Sequence, residues 1–141
     1  MVRRVQNHHL ELTRYINATI GLPFVWGERD CVTYAVGAIE AMIGRELDKP
    51  PITYTSSEEA LVFAESHSLE ETMVDQLHAY EVPHRFHQPG DIAIVNRDGF
   101  ECVHVVFDRR AYAPLLGGVV RMFSVDKLYQ ECPDVKILRF D

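Results

Sequence analysis

The sequence predicts an α+β domain in which N-terminal helices pack on a C-terminal antiparallel β-sheet. Two observations carry this prediction. Apolar residues recur at spacings of three and four in the first half of the chain, and short β-rich runs separated by turn signals fill the second half. The length of 141 residues fits one domain spanning residues 1–141, and a hydrophobic content of 47% suffices for a single core.

The predicted helices have the apolar spacing of amphipathic segments. They cover residues 2–20, 31–43, 56–67 and 68–77. The second is the most clearly marked, because Asp30 is a favoured N-cap residue and Gly44 stands where a C-cap is expected. Ser56 with Glu59 three residues later forms a capping-box pattern at the start of the third.

The second half of the chain has the signature of a β-meander. The predicted strands cover residues 91–95, 100–107, 109–113, 119–125 and 135–140. Residues 96–99, with the sequence Asn-Arg-Asp-Gly, are a hairpin signal between the first two. Residues 81–89 contain two prolines and are predicted to be a loop.

Composition excludes several classes of function. The net charge of −7 argues against a nucleic-acid partner, since phosphate contacts need clustered Lys and Arg. The cysteines, Cys31, Cys102 and Cys132, have neither zinc-ligand spacing nor the even count of a disulfide framework, so no metal or cofactor is predicted. The sequence has no run of about 18 apolar residues and no signal-peptide pattern, so we expect no membrane span and synthesis in the cytoplasm.

Cys31 is a candidate nucleophile because it opens a predicted helix. The positive end of the helix dipole favours a thiolate there, which predicts a lowered cysteine pKa. The alternative is a small buried residue that packs the start of the helix, since free cysteine is among the most buried residue types.

The stretch from Pro23 to Gly44 resembles the NlpC/P60 superfamily of papain-like cysteine peptidases and amidases. The resemblance rests on an aromatic turn ending in Trp-Gly, followed by Asp-Cys and a helix of small and apolar residues. The residues concerned are Phe24, Trp26, Gly27, Asp30 and Cys31. It implies a papain-like fold and a catalytic Cys31. The short gap between Gly27 and Asp30 is similar to that of the compact branch found in phage and prophage tail modules.

His104 is the candidate general base. A thiol nucleophile needs a base whose pKa lies near neutrality, and histidine meets that need. Strand alternation places the His104 side chain on the same face as Cys102 and Val106. In the superfamily a Gly-Asp turn opens one strand and the catalytic histidine opens the next, and here Gly90-Asp91 precedes the strand before His104. A partly buried structural histidine is the alternative.

The resemblance also implies a third catalytic residue and a substrate site. The third position, often a second histidine, corresponds to Tyr112, whose hydroxyl would have to orient the imidazole of His104. A Tyr112 side chain turned away from His104 would leave a Cys–His dyad or no mechanism. Phe24, Trp26 and Asp30 correspond to substrate-binding positions, although many cell-wall members of the superfamily carry tyrosine in place of Phe24. Asp30, whose other role is the N-cap, would hold the free amine of a peptide stem.

The implied function is a cysteine amidase or endopeptidase that cleaves peptide bonds in peptidoglycan stem peptides, or in another peptide amide, and is associated with a phage or prophage tail. The alternative is a papain-like module with reduced or absent catalysis that serves in phage tail assembly. The departures at Phe24 and Tyr112 motivate that alternative. Partners are therefore expected to be stem peptides or other tail proteins, with no nucleic acid and no membrane.

Overall fold

The computed structural model describes residues 2–48, 56, 58–59, 68–97 and 100–141. These residues form four α-helices and one six-stranded sheet. The helices are α1 (His8–Thr19), α2 (Cys31–Ile43), α3 (Leu69–Leu77) and α4 (Val125–Glu131). The predicted α+β class is confirmed. None of the helices in the described ranges is long and apolar enough to cross a membrane.

Helix α2 has the predicted limits, and its caps explain why. The Asp30 carboxylate accepts a hydrogen bond from Thr33 N–H, and the Thr33 hydroxyl accepts one from Asp30 N–H, which forms a capping box. Gly44 closes the helix in the left-handed conformation, with φ of 72°. Local sequence alone therefore sets both ends of this helix.

Helix α1 begins six residues later than the prediction from Val2. The preceding segment is not helical and bonds to distant residues instead: Arg4 N–H donates to Asp141 O, and Val5 N–H donates to Met42 O. These contacts join distant parts of the chain, so periodicity within the segment does not reveal them. Helix α3 agrees with the prediction, and Ser68 is its N-cap.

The helix predicted over residues 56–67 lies mostly outside the described residues. Within it, the Ser56 hydroxyl accepts a hydrogen bond from Glu59 N–H, as one half of the predicted capping box requires.

The sheet is antiparallel throughout, with the order β1-β6-β2-β3-β4-β5. The strands are β1 (Tyr80–Val82), β2 (Ile92–Arg97), β3 (Phe100–Phe107), β4 (Arg110–Pro114), β5 (Val120–Ser124) and β6 (Lys136–Arg139). Five of them match predicted runs. The pairing of Arg97 with Phe100 confirms the predicted hairpin, whose two turn residues lie outside the described ranges.

Three elements were not predicted from the sequence: strand β1, a 3-10 turn and helix α4. The predicted loop 81–89 contains part of β1 and a 3-10 turn, His84–Phe86. The predicted strand 119–125 ends at Ser124, whose hydroxyl accepts a hydrogen bond from Lys127 N–H and starts α4. A seven-residue helix contains too few apolar repeats for its period to be recognised in the sequence.

The sheet has a covered face on each side. Helices α1, α2 and α3 pack on one side, which we call the α2 face. Helix α4 packs on the other, the α4 face. The strand residues of the α2 face are Ile92, Ile94, Val103, Val105, Tyr112, Val120 and Leu138. Those of the α4 face are Ala93, Val95, Val106, Ala111 and Ile137. Successive residues of a strand alternate between these two faces.

Candidate active site

Cys31 occupies the first turn of α2, where the sequence places it, and lies against the edge of β3. Its thiol donates to the carbonyl oxygen of Glu101, with 3.5 Å between Sγ and O, and it accepts a backbone hydrogen bond from Val103. Strand β4 pairs with β3 only from Val105 onward, which leaves the backbone groups of Glu101 and Val103 open on that side. The thiol therefore fills a gap in the hydrogen-bond ladder of the sheet.

The pKa of Cys31 moves in the opposite direction from the prediction. Burial raises the pKa of the thiol to about 12, and the nearby Cys102, Asp30 and Glu101 raise it further. The hydrogen bond from Val103 lowers the pKa but does not offset burial. The helix N-terminus likewise fails to compensate for desolvation in this apolar setting. The Cys31 thiol is consequently protonated at neutral pH.

His104 lies on the other face of the sheet from Cys31. It pairs with Ala93 in β2, and its ring meets that of Phe123 edge-on, with 5.6 Å between ring centroids. Ala93 and Phe123 both belong to the α4 face, whereas Cys31 packs on the α2 face. The expected face shared with Cys102 and Val106 is confirmed. The expected pairing of Cys31 with His104 is not met, because the backbone of β3 separates the two side chains.

Tyr112 does not orient His104. It pairs with Val105 across the β3–β4 ladder, so its side chain points to the α2 face. There it is buried and meets the ring of Phe107 edge-on, with 6.5 Å between centroids. Tyr112 thus lies on the same side of the sheet as Cys31 and on the opposite side from His104, which removes it from the predicted role.

Both carboxylate oxygens of Asp30 accept hydrogen bonds from the backbone of its own turn. It is 2% exposed, one carboxylate oxygen accepts from Thr33 N–H, and the other accepts from Gly27 N–H at 3.0 Å. The N-cap role is therefore present. The role as an amine-binding group is not favoured, because the carboxylate is buried and both of its oxygens already accept backbone hydrogen bonds.

Phe24 and Trp26 form the aromatic turn before α2. Their rings meet edge-on, with 4.9 Å between centroids, and both side chains are half-buried. Phe24 N–H donates to Gly118 O at 2.9 Å, which docks the turn on the loop between β4 and β5. Gly27 takes φ of 79°, so only glycine fits this bend without strain. The turn is rigidly placed and leaves part of both rings accessible.

Two positions that sequence reasoning missed lie beside the thiol. Val103 is the β3 residue whose side chain faces α2 and whose backbone contacts Cys31, so a base on this strand beside the thiol would occupy position 103. The carboxylate of Glu101 accepts hydrogen bonds from Ser68, Leu69 and Glu70 at the N-terminus of α3. Glu101 stabilises that helix end. Both contacts are long-range, and no local signal reveals them.

The described part of the chain contains no cluster of three or more His, Cys, Asp or Glu side chains placed to hold a metal ion. None of the three cysteines, Cys31, Cys102 and Cys132, is in a disulfide.

Comparison with known proteins identifies a family to which the chain belongs and solved structures that share its fold. The family described as "Domain of unknown function (DUF6950)" matches residues 3–129. No curated protein matches the chain. Similar solved structures include two mutated forms of the Resuscitation Promoting Factor Interacting protein RipA and a hypothetical invasion protein of Mycobacterium tuberculosis.

These structures align over 96% of this chain with a TM-score of 0.59 and 15–16% sequence identity. They establish the papain-like NlpC/P60 fold that the aromatic turn and Asp-Cys motif predicted. The chain spans 62–63% of the length of the structures it matches, and the low identity limits the likeness to the fold.

Proposed function

The chain belongs to the family described as Domain of unknown function (DUF6950), and we propose that it is a papain-like module that works through association with other proteins and not through hydrolysis by Cys31 and His104. The observation that supports this proposal is the placement of the thiol and the imidazole on opposite faces of the sheet. A protonated thiol whose predicted base, His104, projects from the opposite face of the sheet is a poor nucleophile.

A catalytic pair would require a change in the register of β3. A general base has to come within about 2.6–3.2 Å of the proton it removes. Moving His104 to the α2 face requires a one-residue slip of β3, which would turn Val103 and Val105 out of the larger core. The continuous ladder from Ile92↔Val105 to Arg97↔Phe100 opposes that slip.

We place the module in a phage or prophage tail. The compact spacing of Trp26, Gly27, Asp30 and Cys31 supports this setting. The partners would then be other tail proteins, with the half-buried Phe24 and Trp26 as part of the contact surface. Under this proposal the protein is made in the cytoplasm and carried on the particle.

Cleavage of peptidoglycan stem peptides, or of another peptide amide, is the second candidate. The position of Cys31 in the first turn of α2 favours it, as does the likeness of the fold to RipA. In this candidate Cys31 attacks a carbonyl carbon, His104 transfers the proton, and Phe24, Trp26 and Asp30 hold the substrate. It requires a rearrangement that places His104 beside Cys31.

Release of new amines from purified peptidoglycan separates the two candidates. The assay compares wild type with Cys31→Ala, and an active NlpC/P60 hydrolase serves as the positive control. The association proposal predicts the same background release from both chains. Release by wild type that Cys31→Ala abolishes would establish the hydrolase instead.

Complementation tests the association role itself. In the phage or prophage that carries the gene, deletion should reduce the yield of complete tails. We expect Cys31→Ala to restore that yield as fully as wild type, because the thiol is not used. Failure of Cys31→Ala at normal protein levels, or normal tails after deletion, would contradict the proposal.

A further inference from the structure

The α4 face of β3 carries its own thiol and imidazole. Cys102 and His104 are two residues apart on this strand and pair with Val95 and Ala93 of β2. Both partners belong to the α4 face, so both side chains project to the same side. A strand rises about 3.3 Å per residue, which places their α-carbons roughly 6.6 Å apart. A cysteine and a histidine side chain can bridge that separation.

The surroundings give the two side chains different access to solvent. His104 is 8% exposed, and the ring of Phe123 lies edge-on to it. The residue paired with His104 across the ladder is the small Ala93. Cys102 is half-buried and lies at the outer part of the α4 core. An imidazole that projects to the same side of a strand as a half-buried cysteine can serve as the base that activates the thiol.

The other two cysteines are less suited to reaction. Cys132 is 4% exposed within the core of the α4 face. Cys31 is hydrogen-bonded to the edge of β3, and burial raises the pKa of its thiol to about 12. The imidazole predicted to serve Cys31 therefore stands beside a different thiol.

We propose that Cys102 is the reactive thiol of this chain and a site of covalent modification by low-molecular-weight disulfides, with His104 as the base that activates it. The Cys102 sulfur, having given its proton to the imidazole of His104, attacks one sulfur of the disulfide. A mixed disulfide forms at Cys102, the disulfide bond of the reagent breaks, and its second half leaves as a thiolate that takes the proton. No further oxidant is needed. This inference is independent of the proposed association role.

Reaction of the full chain with oxidised glutathione tests the proposal, with the site of modification mapped by peptide mass spectrometry. Cys102 should be modified about tenfold faster than Cys31 or Cys132, as expected for a thiol with a larger thiolate fraction. His104→Gln should slow Cys102 roughly tenfold and leave the other two thiols unchanged. His87→Gln, which removes an imidazole elsewhere in the chain, is the matched control and should leave the rate at Cys102 unaltered.

Two outcomes of this experiment would contradict the proposal. Faster modification of Cys31 than of Cys102 in wild type would overturn it, and so would a Cys102 rate that His104→Gln leaves unaltered in the folded chain. Near-UV circular dichroism establishes that the variant is folded. If His104→Gln does not fold, His104→Asn is used in its place, and the order of rates in the wild-type chain decides alone.

Discussion

The two faces of the sheet differ in chemistry as well as in size. The α2 face is a broad apolar core, in which a single thiol closes a gap at the edge of β3. The α4 face is smaller and carries polar groups, including His104 and an ion pair between Asp91 and Arg139. The nucleophile expected from the sequence is on the first face and the base is on the second. Strand alternation therefore decides whether a catalytic pair exists.

The largest loss of stability is expected from removal of the ion pair between Asp91 and Arg139 on the α4 face. Asp91 is fully buried and accepts two hydrogen bonds from the guanidinium of Arg139, both at 2.9 Å. Asp91→Ala leaves that cation without its buried partner, which should lower the free energy of unfolding by about 3–5 kcal/mol. Urea denaturation measures the change. Asp134→Ala, at an exposed position, is the control and should stay within about 0.5 kcal/mol of wild type.

A smaller loss of stability is expected from a substitution at Gly37, where α2 packs against Tyr15 of α1. A β-carbon added at Gly37 would clash with the hydroxyl of Tyr15 and lie 2.9 Å from its Cζ atom. Tyr15 is held in place by a hydrogen bond to Tyr34 O at 2.7 Å. Gly37→Ala should therefore cost about 1–3 kcal/mol, measured by denaturation.

The same substitution in a Tyr15→Leu background tests the cause of that loss. Removal of the clashing ring should make Gly37→Ala nearly neutral, so the two changes should be non-additive. Additive losses would show that the α1–α2 contact does not set the cost.

The smallest loss of stability is expected from substitution of Asp30, the N-cap of α2. Asp30→Ala removes the N-cap and the bond to Gly27 N–H, which should cost about 0.5–2 kcal/mol. Asp30→Asn retains an acceptor oxygen and should recover most of that loss. Thermal unfolding of both variants measures the difference. Equal stability of Asp30→Ala and wild type would contradict the capping role of this carboxylate.

The sequence predicts the parts of the fold that local chemistry determines. The caps at Asp30 and Gly44 set α2, and alternation in residues 100–107 sets β3. Helix α4 escapes prediction because it is short, and β1 because it is three residues long and joins β6 from a distance. These elements depend on contacts that no local pattern encodes.

For the candidate site, too, the sequence predicts what local pattern determines and not which side chains meet. Alternation correctly groups His104 with Cys102 and Val106. The sequence does not reveal which face of β3 receives α2, because both Val103 and Val106 are apolar. The helix signal around Cys31 and the strand signal around His104 were each correct, but their side chains meet different faces.

The separation of Cys31 from His104 is tested most directly by the pH dependence of Cys31 alkylation with iodoacetamide. Because burial raises the pKa of this thiol to about 12, its rate should rise with pH without a plateau below about pH 9 and should not change in His104→Gln. The double variant Val103→His, His104→Val moves the imidazole to the α2 face and should raise the rate at pH 7 at least about a hundredfold. His104→Val alone is the control and should leave Cys31 slow. A wild-type inflection between pH 5 and 8 that His104→Gln removes would contradict the account.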